Sequence, residues 1–214
     1  MISQGMFHLL PTAFATLFVA VGPVEVGSMF LALTAGMAKA ERRNTAIVAA
    51  VVATVVLVAF ALGGIQLLGL IGVGLPAFRT AGGVLLLMVS ADLLLAQHSA
   101  ISSITGAEAN EAQSEQTDIA VFPLAIPLTA GPGSMTAVVL LMGKAHGPAD
   151  TAAVLAALGL MMLLTFAAML ASDRLMRLLR KTGANVIARV SGVLLAALAM
   201  QFIFDGLSAS GLFK

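Results

Sequence analysis

The stretch VFPLAIPLTAGPGSMTAVVLL, residues 121–141, decides the fold. It is apolar throughout and uncharged, as a membrane span must be, but it cannot be one continuous helix. Pro123, Pro127 and Pro132 each remove a backbone donor and clash with the preceding turn. Pro132 suits the first position of a new helix, and Gly131 before it tolerates the dihedrals of a break. The segment 119–143 therefore reads as two half-helices meeting at Gly131-Pro132. Residues 14–34, FATLFVAVGPVEVGSMFLALT, carry the same device. Gly22-Pro23 lies 109 residues before Gly131-Pro132, and at that offset Gly83-Val84-Leu85-Leu86 falls on Gly192-Val193-Leu194-Leu195. Two matches at one offset imply an internal duplication in which the first span of each half is broken.

Composition agrees with a membrane protein. Of 214 residues, 60% are hydrophobic and 10% charged, against about 45–50% apolar and about 25% charged for a soluble domain. The net charge of +1 excludes the basic surface that nucleic-acid binding needs. The absence of cysteine removes disulfides, thiolate metal sites and cysteine nucleophiles. A bilayer core needs about 20 apolar residues per helix, and six stretches qualify: 8–37, 45–70, 77–97, 119–143, 150–171 and 186–207. The expected fold is all-α and integral to the membrane. A first three-span repeat covers 1–97, an acidic cytoplasmic loop 98–118, and a second repeat 119–214. Three is odd, so the second repeat is inverted relative to the first.

Charge placement gives the orientation. Lys39, Arg42 and Arg43 follow the first span, and Arg174, Arg177, Arg180, Lys181 and Arg189 lie between the fifth and sixth. Eight of the 11 basic residues thus share one side, which the positive-inside rule assigns to the cytoplasm. Both termini are then expected outside, with the chain in the bacterial inner membrane. The stretch after span two, 64–72, is uncharged, whereas its counterpart 173–181 is strongly basic, as expected of repeats with opposite orientation.

Inverted repeats whose corresponding segments are interrupted by Gly and Pro point to a secondary transporter with its site near the midplane. A helix starting at Pro23 or Pro132 presents unbonded N–H groups and a positive dipole end to an anionic group. Gly22, Pro23, Val24 and Glu25 are the expected substrate-binding residues of the first half; Thr129, Gly131, Pro132, Gly133 and Ser134 are those of the second. Glu25, at mid-span, aligns with Ser134. A carboxylate at that depth is costly and is a functional candidate, either binding a substrate ammonium or carrying a coupling proton. Its alternative role is as a structural hydrogen-bonding group at the break. Asp92 and Gln201, nearer span ends, coincide at the same offset. Gly82-Gly83 and Ser191-Gly192 favour close helix packing.

Residues 122–141 resemble the second-half signature of the MarC family of six-span bacterial and archaeal inner-membrane proteins. VSGVLLAALAMQFIFDGL, residues 190–207, resembles that family's last span, and AGGVLLLMVSADLL, residues 81–94, its third. The resemblance implies a likeness to the small neutral amino acid transporters, with glycine- and alanine-like substrates. It carries over to Gly131, Pro132, Gly133 and Pro23. The first-half family pattern, Asn/Asp-Pro-x-Gly-Asn-x-Pro, is replaced here by Gly22-Pro23-Val24-Glu25-Val26-Gly27-Ser28.

The leading expectation is therefore a transporter of a small polar solute, coupled to a proton or sodium ion. It is not expected to be an enzyme or to hold a metal or cofactor. Its partners are the substrate and the lipid bilayer, and a homo-oligomer is compatible with the sequence. A channel or a structural membrane protein is the alternative.

Overall fold

The computed structural model describes residues 2–34, 36–95 and 119–211, apart from some side chains within the helices. The acidic loop 98–118 lies outside the described residues. Among those described, every regular element is helical. The helices are α1 (Ile2–Val21), α2 (Pro23–Leu33), α3 (Lys39–Leu70) and α4 (Leu75–Leu95) in the first half. An irregular proline segment (Ala120–Thr129) precedes α5 (Pro132–Gly143), α6 (Pro148–Leu170) and α7 (Ser172–Ala209) in the second.

Four stretches are long and apolar enough to cross a bilayer: Leu9–Leu33, Lys39–Leu70, Pro148–Leu170 and Arg189–Ala209. The proline segment with α5 makes a fifth, bent by 54°, and Leu75–Ala91 is a shorter apolar helix. Large aliphatic side chains such as Val55, Leu163 and Val193 are exposed on the outside of the bundle, where a soluble protein would place polar groups.

One boundary differs from the sequence reading. The sixth span, expected from 186, is the end of a longer helix: α7 is a single helix of 38 residues that takes in the basic run after Ser172. Arg, Lys and Leu are good helix formers, so the chain leaves the apolar layer without unwinding. The only interruption is Ala171, whose carbonyl accepts from the N–H groups of Arg174 and Leu175. Likewise α3 starts at Lys39, earlier than the 45 expected from hydropathy. Glu41 caps this start by accepting the Ala38 N–H at 3.0 Å.

The largest helix pairings match under exchange of the halves. α1 packs on α6 as the proline segment packs on α3; α2 packs on α6 as α5 packs on α3; α4 packs on α5 as α7 packs on α2. The equivalent helices α4 and α7 pack on each other, as do α3 and α6. Leu86 and Leu195, 109 residues apart, are both fully buried in one cluster with Ala199 and Phe202.

The close α4–α7 packing rests on small residues, of which Gly83 stands out in the sequence and Gly206 does not. A Cβ at Gly83 would lie 2.7 Å from the Ala199 carbonyl oxygen and 2.7 Å from Ile203. A Cβ at Gly206 would meet the Thr80 hydroxyl and lie 2.8 Å from the Pro76 carbonyl oxygen. Only glycine allows the backbones this close.

Candidate substrate site at the paired helix breaks

Both Gly-Pro pairs interrupt their spans, but by different means. Gly22 adopts φ 61°, ψ 66°, the left-handed region, which an L side chain enters at a cost. The break is one residue long. The Gly22 N–H still bonds the Phe18 carbonyl at 3.1 Å, and the Gly22 carbonyl accepts from Val26 at 3.0 Å, so α1 and α2 continue as one span. Gly131 is extended, at φ −83°, ψ 174°, a conformation open to any residue. Glycine is needed there because a Cβ would run into the Pro127 carbonyl oxygen.

The second break is the larger. Phe122 and Ile126 are extended within the proline segment, and both are followed by cis peptide bonds, to Pro123 and Pro127. The carbonyls this frees are bonded by hydroxyls. Thr129 Oγ1 donates to the Leu124 carbonyl at 2.8 Å. Ser134 Oγ lies 2.8 Å from the Thr129 carbonyl and 3.0 Å from that of Gly131. Both side chains are 1% exposed, so their hydroxyls are committed to holding the break in shape. An unbonded buried acceptor would cost about 1–3 kcal/mol.

What remains open at the second break is the start of α5. Its first intrahelical bond runs from the Met135 N–H to the Gly131 carbonyl, at 2.9 Å. The N–H groups of Gly133 and Ser134 therefore precede the hydrogen-bonded ladder. Gly133 is buried, and a Cβ there would meet Leu86 of α4 at 2.8 Å. Its smallness serves the contact with α4. Thr136, one turn on, is packed against Gly82.

The start of α2 is closed differently. Glu25 stands three residues after the capping position, from which a glutamate can reach back over the helix start. Its carboxyl folds over Gly22, where a Cβ would lie 2.8 Å from Oε2. Its own backbone N–H bonds it, and Ser191 of α7 faces it. Oε1 is buried and has no hydrogen-bond partner. The Glu25 carbonyl accepts from Ser28 Oγ at 2.8 Å. Ser191, read from the sequence only as a packing residue, is thus the polar neighbour of Glu25. The 109-residue offset places it on Gly82, which contacts Thr136 in the other half.

The elements bearing the two breaks meet crosswise: α1 packs on α5, and α2 on the proline segment. Val21 joins Ala130 and Ala137 in one cluster, and Val26 and Phe30 join Ala120 and Leu124 in another. Gln201 bonds Asp205 within its own helix at 2.7 Å. The Asp92 side chain lies outside the described residues.

Comparison with known proteins identifies the family. Residues 7–210 match the family described as MarC family integral membrane protein. The chain belongs to the MarC family. Its similarity to other members is near full length. It is 35% identical to a UPF0056 membrane protein of Methanocaldococcus jannaschii over 91% of this chain and 94% of the relative. It is 35% identical to UPF0056 membrane protein YvbG of Bacillus subtilis over 94% and 95%. It is 31% identical to UPF0056 membrane protein YhcE of Escherichia coli over 91% and 89%. No solved structure matches. The chain is thus an integral membrane protein of a family with bacterial and archaeal members.

Proposed function

We propose that this MarC protein is a secondary transporter of a small polar solute, with a small neutral amino acid as the substrate class. In this reading the chain has six membrane-crossing segments, α4 being the shortest, arranged as two inverted repeats in the inner membrane with both termini outside. The pairing of helices under exchange of the halves supports the repeat. The clustering of basic residues at the starts of α3 and α7 supports the orientation through the positive-inside rule.

The observation that carries the reading is the asymmetry of the two helix starts. At α5 the N–H groups of Gly133 and Ser134 are left for an anionic group. At α2 the same place is taken by the Glu25 carboxyl, whose Oε1 is unpartnered. A zwitterion fits this pair, with its carboxylate at α5 and its ammonium at Glu25. Glu25 also serves as carrier of a coupling proton in cycles without a cationic substrate group; a sodium ion is the alternative coupling species.

The test is uptake of radiolabelled glycine and alanine into proteoliposomes under an imposed proton or sodium gradient. Glu25→Gln keeps the size of the side chain and should cut uptake at least tenfold or flatten its pH dependence. Thermal stability should stay near that of wild type. Wild-type kinetics and pH profile in the variant would make Glu25 a purely structural cap.

A further inference from the structure

A basic cavity of about 650 Å³ opens where the end of α6 and start of α7 meet the start of α3. Lys39, Arg42, Arg43, Arg174 and Arg177 line it, and Asp173 is the only acid among the lining residues. Arg42 is already matched. Its guanidinium bonds Asp173 at 2.8 Å and Ser172 Oγ at 3.1 Å, and stacks over the Phe30 ring at 5.6 Å. The other four cations have no second acid among the described lining residues, and Arg177 Nε donates to the Asp173 carbonyl at 3.1 Å. The floor is apolar, formed by Phe30, Ala167, Met169 and Leu170.

A second cavity, of about 590 Å³, continues along the same α3–α6 crevice. Its walls are Ile47, Ala50, Val51 and Val55 on one side and Gly159, Leu163 and Phe166 on the other. Arg43 and Ile47 are one turn apart on α3, and Ala167 directly follows Phe166 on α6, so the basic cavity leads into the apolar groove. From Arg43 to Val55 the rise is about 18 Å at about 1.5 Å per residue. One leaflet of hydrocarbon is about 15 Å, half of a core about 30 Å thick.

We propose that this crevice is a binding site for an anionic phospholipid of the leaflet on the basic side. The phosphate headgroup sits among Lys39, Arg43, Arg174 and Arg177, and one acyl chain lies in the groove toward Val55. A free anion would use the cations but leave the groove empty. A second copy of the chain would bring its own basic cluster against this one if it docked two-fold symmetrically. A phospholipid satisfies both halves of the crevice, and juxtamembrane cations attract anionic lipid at about fivefold in affinity per residue.

The experiment is native mass spectrometry of the purified protein with phosphatidylglycerol and phosphatidylcholine of identical acyl chains. Phosphatidylglycerol should be retained about tenfold or more in preference. Arg43→Gln with Arg174→Gln should remove most or all of that preference, since two such factors multiply to about 25-fold. Gly159→Leu tests the groove alone. A Cβ at Gly159 meets nothing within 4 Å, so the leucine occupies the chain's place without disturbing the fold, which circular dichroism monitors. Retention should fall about tenfold, the order expected for displacing a few methylenes. Inorganic phosphate and glycerol 3-phosphate at millimolar concentration should not displace the lipid. Equal retention of the two lipids, displacement by phosphate, indifference to Gly159→Leu, or a dimer in place of bound lipid would each overturn the proposal.

Discussion

Gly22→Ala and Gly131→Ala should both destabilise the protein, and the way each responds to asparagine should separate their causes. At Gly22 the cost is conformational. Placing an L residue in the left-handed region costs about 1–2 kcal/mol, and restricting the unfolded chain returns roughly 0.4–1 kcal/mol. The net is about 1 kcal/mol before any displacement of the Glu25 carboxyl, whose Oε2 lies 2.8 Å from the new Cβ. That corresponds to about 2–4 °C in melting temperature. Asparagine tolerates this region far better than alanine, so Gly22→Asn should recover part of the loss. At Gly131 the dihedrals are ordinary and the obstacle is the Pro127 carbonyl oxygen. A backbone group cannot swing aside, so the cost is of overpacking type, about 1–3 kcal/mol, and asparagine should be no better than alanine. The chain has no Trp or Tyr, so intrinsic fluorescence gives no useful signal and the assay is thermal melting followed by circular dichroism in detergent. Asparagine rescuing position 131 but not position 22 would refute the distinction.

Three further outcomes are expected from the same melts. Ser134→Ala leaves the Thr129 and Gly131 carbonyls without their hydroxyl donor and should cost about 1–3 kcal/mol; Ser134→Thr should recover most of it, whereas equal melting of alanine and wild type would show that water replaces the donor. Gly83→Leu forces α4 from α7 against the Ala199 carbonyl and should prevent recovery of monodisperse protein, in contrast to Gly159→Leu. In a double-mutant cycle, Arg42→Gln and Asp173→Asn should couple by roughly 1 kcal/mol, toward the upper end for a partly exposed pair, since their side chains are 20% and 45% exposed; additivity would show that the bridge contributes nothing.

The parts of this fold that were legible in the sequence are those set by covalent geometry. Proline lacks a donor wherever it stands and the glycine before it lets the chain turn, so the interruptions at Gly22-Pro23 and Gly131-Pro132 follow from the pairs, whereas Pro11, which follows Leu10, lies inside α1. Of the small residues between α4 and α7, Gly83 was legible in the Gly82-Gly83 pair, whereas Gly206 stood out by no pairing or repeat. Charge was a poorer guide. The run Asp173–Lys181 falls between two spans in the sequence because it is basic, but charge marks where a helix leaves the membrane, while propensity decides whether it stops. The pairing of Arg42 with Asp173 joins residues 131 apart, and no local pattern encodes it.

The candidate site shows the same division more sharply. Gly22 and Gly131 look alike in the sequence and align at one offset, yet one supplies a left-handed residue and the other a missing side chain. The residues after them diverge in consequence. Ser134 is short enough to turn its hydroxyl back onto the carbonyls released by a long, proline-rich break. Glu25, at the aligned position, follows a break that releases fewer backbone groups, since both Gly22 hydrogen bonds persist. Its longer side chain can therefore cover the helix start itself. The position of Glu25 three residues after Gly22 was the available signal for that capping role; what it could not encode was Ser191 facing the carboxyl from α7. The matched helix pairings of the two halves are thus accompanied by a chemical asymmetry of the two helix starts: at α5 the Gly133 and Ser134 N–H groups precede the first intrahelical bond, whereas at α2 the Glu25 carboxyl lies over Gly22. A symmetric pair of open helix starts would favour a dianion. On the transporter proposal, an open start opposed to a carboxyl favours a molecule with one charge of each sign, and a fall in glycine and alanine uptake in Glu25→Gln is the outcome that reading expects.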